Sequence, residues 1–152
     1  MSIRTTNTST ITTAVQTLLR AALPYAQGEL IVERAEPINA VPGRCPWVGI
    51  YRQSVRAVPR TLGLSSGYRR QEVSLALVMT ESSSQSGELC EEKLEELVQN
   101  VLSAVLSDES LLGTVDSLGD VHTIYRDYRK EGNSYFQEAV IQFTALVNVT
   151  AL

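Results

Sequence analysis

Residues 87–107, GELCEEKLEELVQNVLSAVLS, decide how the rest of the chain is read. Leu94, Leu97, Val98, Val101, Leu102 and Val105 recur at helical spacing and form one apolar stripe. Glu88, Glu91, Glu92, Glu95 and Glu96 load the first half, where negative charge suits the positive end of the helix dipole. The spacing predicts an amphipathic helix from Gly87 to about Ser107, with no residue pattern of a catalytic box. Its stripe needs a sheet or another helix as cover, and strand patterns on either side supply one.

Upstream, Arg69 to Glu81 reads as a long strand centred on Val73, Leu75, Leu77 and Met79. Ala76 and Val78 make its middle apolar on both faces, as in a central strand. Glu81 to Ser86 is a polar turn. Downstream, Ser107 to Gly113 reads as a turn that Asp108 caps and Gly113 ends. Val115 to Lys130 then alternates weakly, with Val121, Thr123 and Tyr125 on one face. Tyr135 to Val149 alternates strongly through Ala139, Ile141, Phe143, Ala145, Val147 and Val149. Lys130-Glu131-Gly132-Asn133-Ser134 connects the two as a hairpin. Both arms exceed the usual strand of about five or six residues. The hairpin is therefore expected to project beyond the sheet body and offer an edge to a neighbour.

Nearer the start, Ile11, Val15, Leu18, Leu19 and Ala22 predict a helix over roughly Thr10 to Tyr25, ended by Pro24 and Gly28. A short strand follows at Glu29 to Arg34, then a loop broken by Pro37, Pro42, Gly43 and Pro46. Trp47 to Arg52 is a second strand whose Trp47 reads as a core or interface anchor. Gln53 to Gly67 reads as a flexible basic loop, about 53–68. Arg56 and Arg60 lie within it, Arg52 before it, and Arg69 and Arg70 after it. Such a loop is either functional or a mobile surface tip. The whole is one domain over 1–152. It is of the α+β class, a mainly antiparallel sheet with a long C-terminal β-hairpin and two main helices on one face.

Composition is that of an ordinary globular chain, with 43% hydrophobic and 20% charged residues. The longest apolar run, Leu75 to Met79, is far short of a membrane span. Arg4 followed by a Thr/Ser-rich stretch gives no signal-peptide pattern. Cys45 and Cys90 match no metal spacing and are expected to be free thiols in a reducing compartment. The charge is unevenly divided. Residues 1–70 carry nine Arg against three Glu, a balance of +6, and residues 71–152 carry four basic against fourteen acidic residues, −10; together they make the −4 of the chain. Solvated faces explain this blandly; a head-to-tail assembly, basic patch to acidic face, explains it more sharply.

Chemistry-bearing motifs are sparse. Gly63-Leu64-Ser65-Ser66-Gly67 has the form G-x-S-x-G but lacks the strand–turn–helix setting of a nucleophile elbow. Any serine hydrolase scheme would have to join Ser65 to His122, the only histidine, on a predicted strand. No catalytic, cofactor or metal residues are therefore assigned, and one histidine with two isolated cysteines suits no structural zinc. No Gly-rich phosphate loop is present, and a pI near 5.0 argues against a dedicated nucleic-acid binder. Asn7-Thr8-Ser9 and Asn148-Val149-Thr150 match the glycosylation sequon, which carries no weight without a secretory signal.

The layout resembles that of the tail terminator (tail-completion or tail-to-head joining) proteins of long-tailed bacteriophages. The resemblance rests on the helix Ile11 to Leu23 and on Cys45-Pro46-Trp47-Val48-Gly49-Ile50-Tyr51 leading into a strand pair with a long loop. It rests also on the run Cys90 to Leu102 followed by Leu111-Leu112-Gly113 and Val115, and on the long alternating hairpin at the end. It covers most of the chain as pattern, without a single diagnostic motif. It implies a virion protein of the tail and neck, made in the host cytoplasm, whose subunits form a ring, typically a hexamer. The ring caps the finished tail tube, stops its polymerisation and presents a surface to the head connector. Double-stranded DNA passes through its lumen unread, and an acidic lumen would repel the phosphates. Head-completion adaptors and tube subunits of the same particle share the absence of catalytic motifs and remain alternatives. On this reading Arg52, Arg56, Arg60, Arg69, Arg70, Trp47, Glu131 and Asn133 are candidates for contact with a neighbouring subunit or the tube protein. Reversing Arg56 and Arg60 to Glu is expected to weaken ring assembly or tail docking by about tenfold or more in a sedimentation assay; wild-type assembly would remove the idea.

Overall fold

The computed structural model describes residues 7–22, 31–35, 45–59, 68–126 and 128–150, with backbone alone at 22, 58–59, 68–69 and 149–150. The elements in order are α1 (Thr8–Ala22), β1 (Ile31–Arg34), β2 (Trp47–Pro59), β3 (Tyr68–Ser83), α2 (Gly87–Leu106), β4 (Ser117–Tyr125), β5 (Arg129–Glu131) and β6 (Ser134–Thr150). They form one sheet ordered β1-β2-β3-β6-β4, with β5 pairing β6 beyond the end of β4. Only the β1–β2 pairing is parallel. The fold is α+β, as the sequence implies.

Each helix forms where its sequence permits. Ser86 caps α2, its Oγ accepting from Leu89 N at 3.1 Å. The α2 stripe is buried as Cys90, Leu94, Leu97, Val98, Val101, Ala104 and Val105. Asn7 caps α1, its Oδ1 accepting from Ser9 N and Thr10 N, and Ile11, Ala14, Val15 and Leu19 turn inward. Both helices join one core with Val48 and Ile50 of β2, Val73, Leu75, Leu77 and Met79 of β3, and Ala139, Ile141, Phe143, Ala145 and Val147 of β6. The shared period of two places all these strand residues on one sheet face.

The second face carries a smaller apolar cluster, Trp47, Ala76, Val78 and Val140, with Ile31 and Tyr51 at its margin. Gly49 lies in the strand between Trp47 and Tyr51. A Cβ there would stand 2.9 Å from Tyr51 Cε2 and closer still to the Trp47 ring. The absent side chain lets the indole and phenol close over the sheet.

Three expectations need correction. First, the stretch expected to be loop from Gln53 is strand as far as Pro59, where Pro59 stands opposite Arg69; 60–67 lies outside the described residues. Its pattern hides because every side chain from Arg52 to Ala57 is exposed and an irregularity between Arg52 and Ser54 shifts the register. Ladder hydrogen bonds form without apolar alternation. Second, the C-terminal hairpin does not project from the sheet, because β6 pairs with β3 from Tyr135 to Thr150. Its other arm, β4, is the edge strand. Third, that arm is interrupted after Tyr125 and resumes as β5. The turn itself is Gly132-Asn133, with Gly132 at φ 60°, where a tight hairpin favours glycine.

Gly49→Ala is expected to lower stability by about 1–3 kcal/mol through overpacking of the Trp47 and Tyr51 rings. A reduced urea midpoint at unchanged m would show it.

Candidate functional site

The charge asymmetry of the sequence becomes a geometry. Glu88, Glu91, Glu92, Glu95 and Glu96 of α2 are all exposed. Tyr128 donates its hydroxyl to Glu91 Oε2. The Tyr125 phenol is held above its ordinary pKa by burial and then by the charge of Glu95. The acidic side of α2 therefore runs along the β4 end of the sheet. Arg126, Arg129 and Lys130 share that end, the first two neutralised by Glu138 and Glu131, whereas Arg52 and Arg56 stand at the other end. Arg52 of β2 donates from NH1 to Thr8 Oγ1 at the start of α1, 2.8 Å. Arg56 lies on the opposite face of β2, exposed and without an ion pair among the described residues. Arg70 is tied to Glu72 of its own strand at 3.3 Å.

The two edges of the sheet also differ. Ile31 N donates to Pro46 O and Ala35 N to Ile50 O, so Val32 turns its carbonyl away from β2. Gln16 Nε2 and Arg20 NH2 of α1 take that carbonyl at 3.1 and 2.9 Å. The β1 edge is thereby blunted by the protein's own side chains. At the far edge Arg126 N donates to Glu138 O at 2.9 Å. By alternation along an antiparallel ladder, His122 and Ile124 bond to β6, while Val121, Thr123 and Tyr125 turn N–H and C=O outward. Those outward groups have no partner among the described residues. Ile124 and Tyr125 are exposed there.

A third feature was not legible in the sequence. Cys45, Ser82, Lys93 and their neighbours line a polar cavity of about 290 Å³ at the end of β3. Lys93 Nζ donates to Ser82 O at 2.9 Å and lies 3.9 Å from Glu81 Oε1. Cys90 Sγ donates to Glu81 O at 3.4 Å. Burial raises the Glu81 carboxyl above its ordinary pKa, against the opposing pull of Lys93. Burial likewise raises both thiols, so neither is an activated nucleophile. Both cysteines are free. A second cavity of about 290 Å³ is lined by Thr80, Arg126, Arg129, Phe136, Gln137 and Glu138. Its arginines are occupied, Arg126 by Glu138 at 3.4 Å and Arg129 by Glu131 at 3.3 Å.

Of the residues expected to meet a partner, Glu131 and Asn133 sit exposed at the β5–β6 turn. Arg69 takes its place in β3 opposite Pro59 and Val149. Arg60 lies outside the described residues. Of the two roles expected for Trp47, core or interface anchor, it fills the core one: only 2% exposed, it anchors the sheet's own second face and donates from Nε1 to Glu33 Oε2 at 3.2 Å, so its inclusion among the contact residues is corrected. The His122 side chain is exposed on β4 and makes no hydrogen bond among the described residues, and Ser65 lies outside them. Set against protein-family models and against curated proteins, the chain matches none.

The raised Glu81 carboxyl binds its proton more tightly in the folded chain than in the unfolded one. Stability therefore falls as pH rises from the ordinary Glu range through the raised value, then levels off. Glu81→Gln is expected to flatten that fall and to leave the protein at least as stable above it. Urea midpoints across a pH series measure this, and an unchanged slope in the variant would count against the assignment.

Proposed function

We propose that the chain is a ring-forming structural subunit of the tail terminator kind: it caps the completed tube of a phage tail, halts its polymerisation and joins it to the head connector. The observation that carries this reading is the opposition of the two ends of one sheet. Arg52 and Arg56 stand at one end, and the acidic side of α2 beside the open β4 edge stands at the other. Complementary patches on opposite sides of a subunit are not satisfied by a two-fold pair. They join head to tail, and such a contact closes into a ring or grows into a filament. The resemblance in layout favours the closed ring, a hexamer, with a tube protein below, a connector above and DNA passing through.

A cap differs from a tube subunit in what its loss does. In particles assembled without this protein, electron microscopy is expected to show tails of irregular and excessive length, unattached to heads. Tails of normal length that fail to join heads would replace this reading with a connector role. Complete absence of tails would replace it with a tube subunit.

A further inference from the structure

The β2 strand has an outer edge of its own. β1 pairs only with Trp47 to Ile50, and beyond Ile50 the outer side of β2 has no strand beside it among the described residues. Following the ladder across the irregularity between Arg52 and Ser54, Val55 and Ala57 turn their N–H and C=O away from β3. Both stand on the face that the helices cover, since Val55 is opposite Val73. Val121, Thr123 and Tyr125 of β4 stand on that same face, opposite Phe143, Ile141 and Ala139.

We infer that successive copies join by continuing the sheet, the outer edge of β2 from Arg52 to Ala57 in one copy pairing antiparallel with the edge of β4 from Val121 to Tyr125 in the next. Val55 then lies opposite Thr123. The inference rests on the head-to-tail reading above and names the surfaces that meet. Three observations select this occupant. Strand direction is the first: β2 is antiparallel to β3, β3 to β6, and β6 to β4, so β2 and β4 of one subunit run in opposite directions. A copy related by rotation about an axis along the strands presents its β2 antiparallel to β4, the geometry in which two extended edges share hydrogen bonds. Charge is the second. Arg52 is on the helix-covered face and arrives beside Tyr125, whose phenol feels Glu95. A two-fold β4–β4 pairing would instead set Glu91 and Glu95 of both copies against each other. Closure of the alternative is the third, because Gln16 and Arg20 already occupy the outward carbonyl of β1.

The test is cross-linking by register, with Cys45 replaced by Ser and the buried Cys90 kept. Residues directly opposite in a bonded pair have Cα atoms about 5.5 Å apart, within disulfide reach. Val55→Cys and Thr123→Cys proteins are expected to form a covalent dimer when mixed and oxidised, and neither should do so alone. Thr123→Cys coupling to itself would overturn the inference in favour of a two-fold pair. No coupling in any mixture would overturn it outright. A second variant guards against a merely misfolded result. Thr123→Pro removes an outward N–H and no ladder bond within the subunit. It is expected to keep its circular dichroism while raising the concentration for half-assembly by about tenfold or more; a folded Thr123→Pro that assembles like wild type overturns the inference. The two readings fail separately. The 55–123 cross-link with tails of normal length leaves the pairing standing without the cap, and overlong tails with no cross-link leave the cap without the pairing.

Discussion

The seven buried residues of the α2 stripe cannot remain in water, and the strip formed by β3 and β6 supplies most of their cover, with α1 beside it. Burying a stripe of that kind contributes on the order of 10 kcal/mol before entropy is counted, at about 25 cal/mol per Å² of apolar surface. Everything else adjusts to this contact. It requires β3 and β6 to lie side by side in one register, because a slip of one residue would turn Ile141 and Phe143 away from the face that carries Leu75 and Leu77. It also leaves the charged side of α2 pointing away from the sheet, which fixes where the acidic surface must be.

Much of this is legible in the residues. The spacing of Leu94, Leu97, Val98, Val101 and Val105 identifies a half-buried helix, and the alternation from Ala139 to Val147 identifies the face of its cover. Both depend on local period alone. The extent of β2 is not legible, because Gln53, Ser54, Arg56 and Pro59 give no apolar rhythm. That segment is strand because β3 holds it by backbone bonds, a non-local cause. The position of β6 between β3 and β4 is hidden for the same reason: sequence suggests a hairpin arm, and only pairing shows that the arm lies inside the sheet.

The candidate surfaces divide along the same line. Charge is additive along a chain, so the basic first half and acidic second half can be counted from the residues alone. Which edge is blunted cannot, since Gln16 and Arg20 reach Val32 from another element. Nor can the meeting of Cys45 and Cys90 around Glu81 and Lys93, where residues on the β2 lead-in, β3 and α2 share one buried corner. Glu81 reads as the start of a polar turn, yet its side chain is 4% exposed. Lys93, nearly two turns inside α2, explains why that burial is tolerated.

The central place of β6 has a consequence for how the chain is made. Synthesis delivers β3 first, then α2, then β4, and only afterwards the strand that joins them. Until β6 emerges from the ribosome, β3 shows an unpaired side, β4 has no ladder to enter and half of the α2 stripe lacks its cover. Pairing across such a sequence separation is slow compared with helix formation. Nascent chains on neighbouring ribosomes then display the same vacancy, and the β6 of one chain fits the gap in another as well as its own. Exchange of that strand between sister chains is the characteristic misassembly this topology invites, and the tight Gly132-Asn133 turn, by keeping β6 beside the chain that made it, favours the correct insertion.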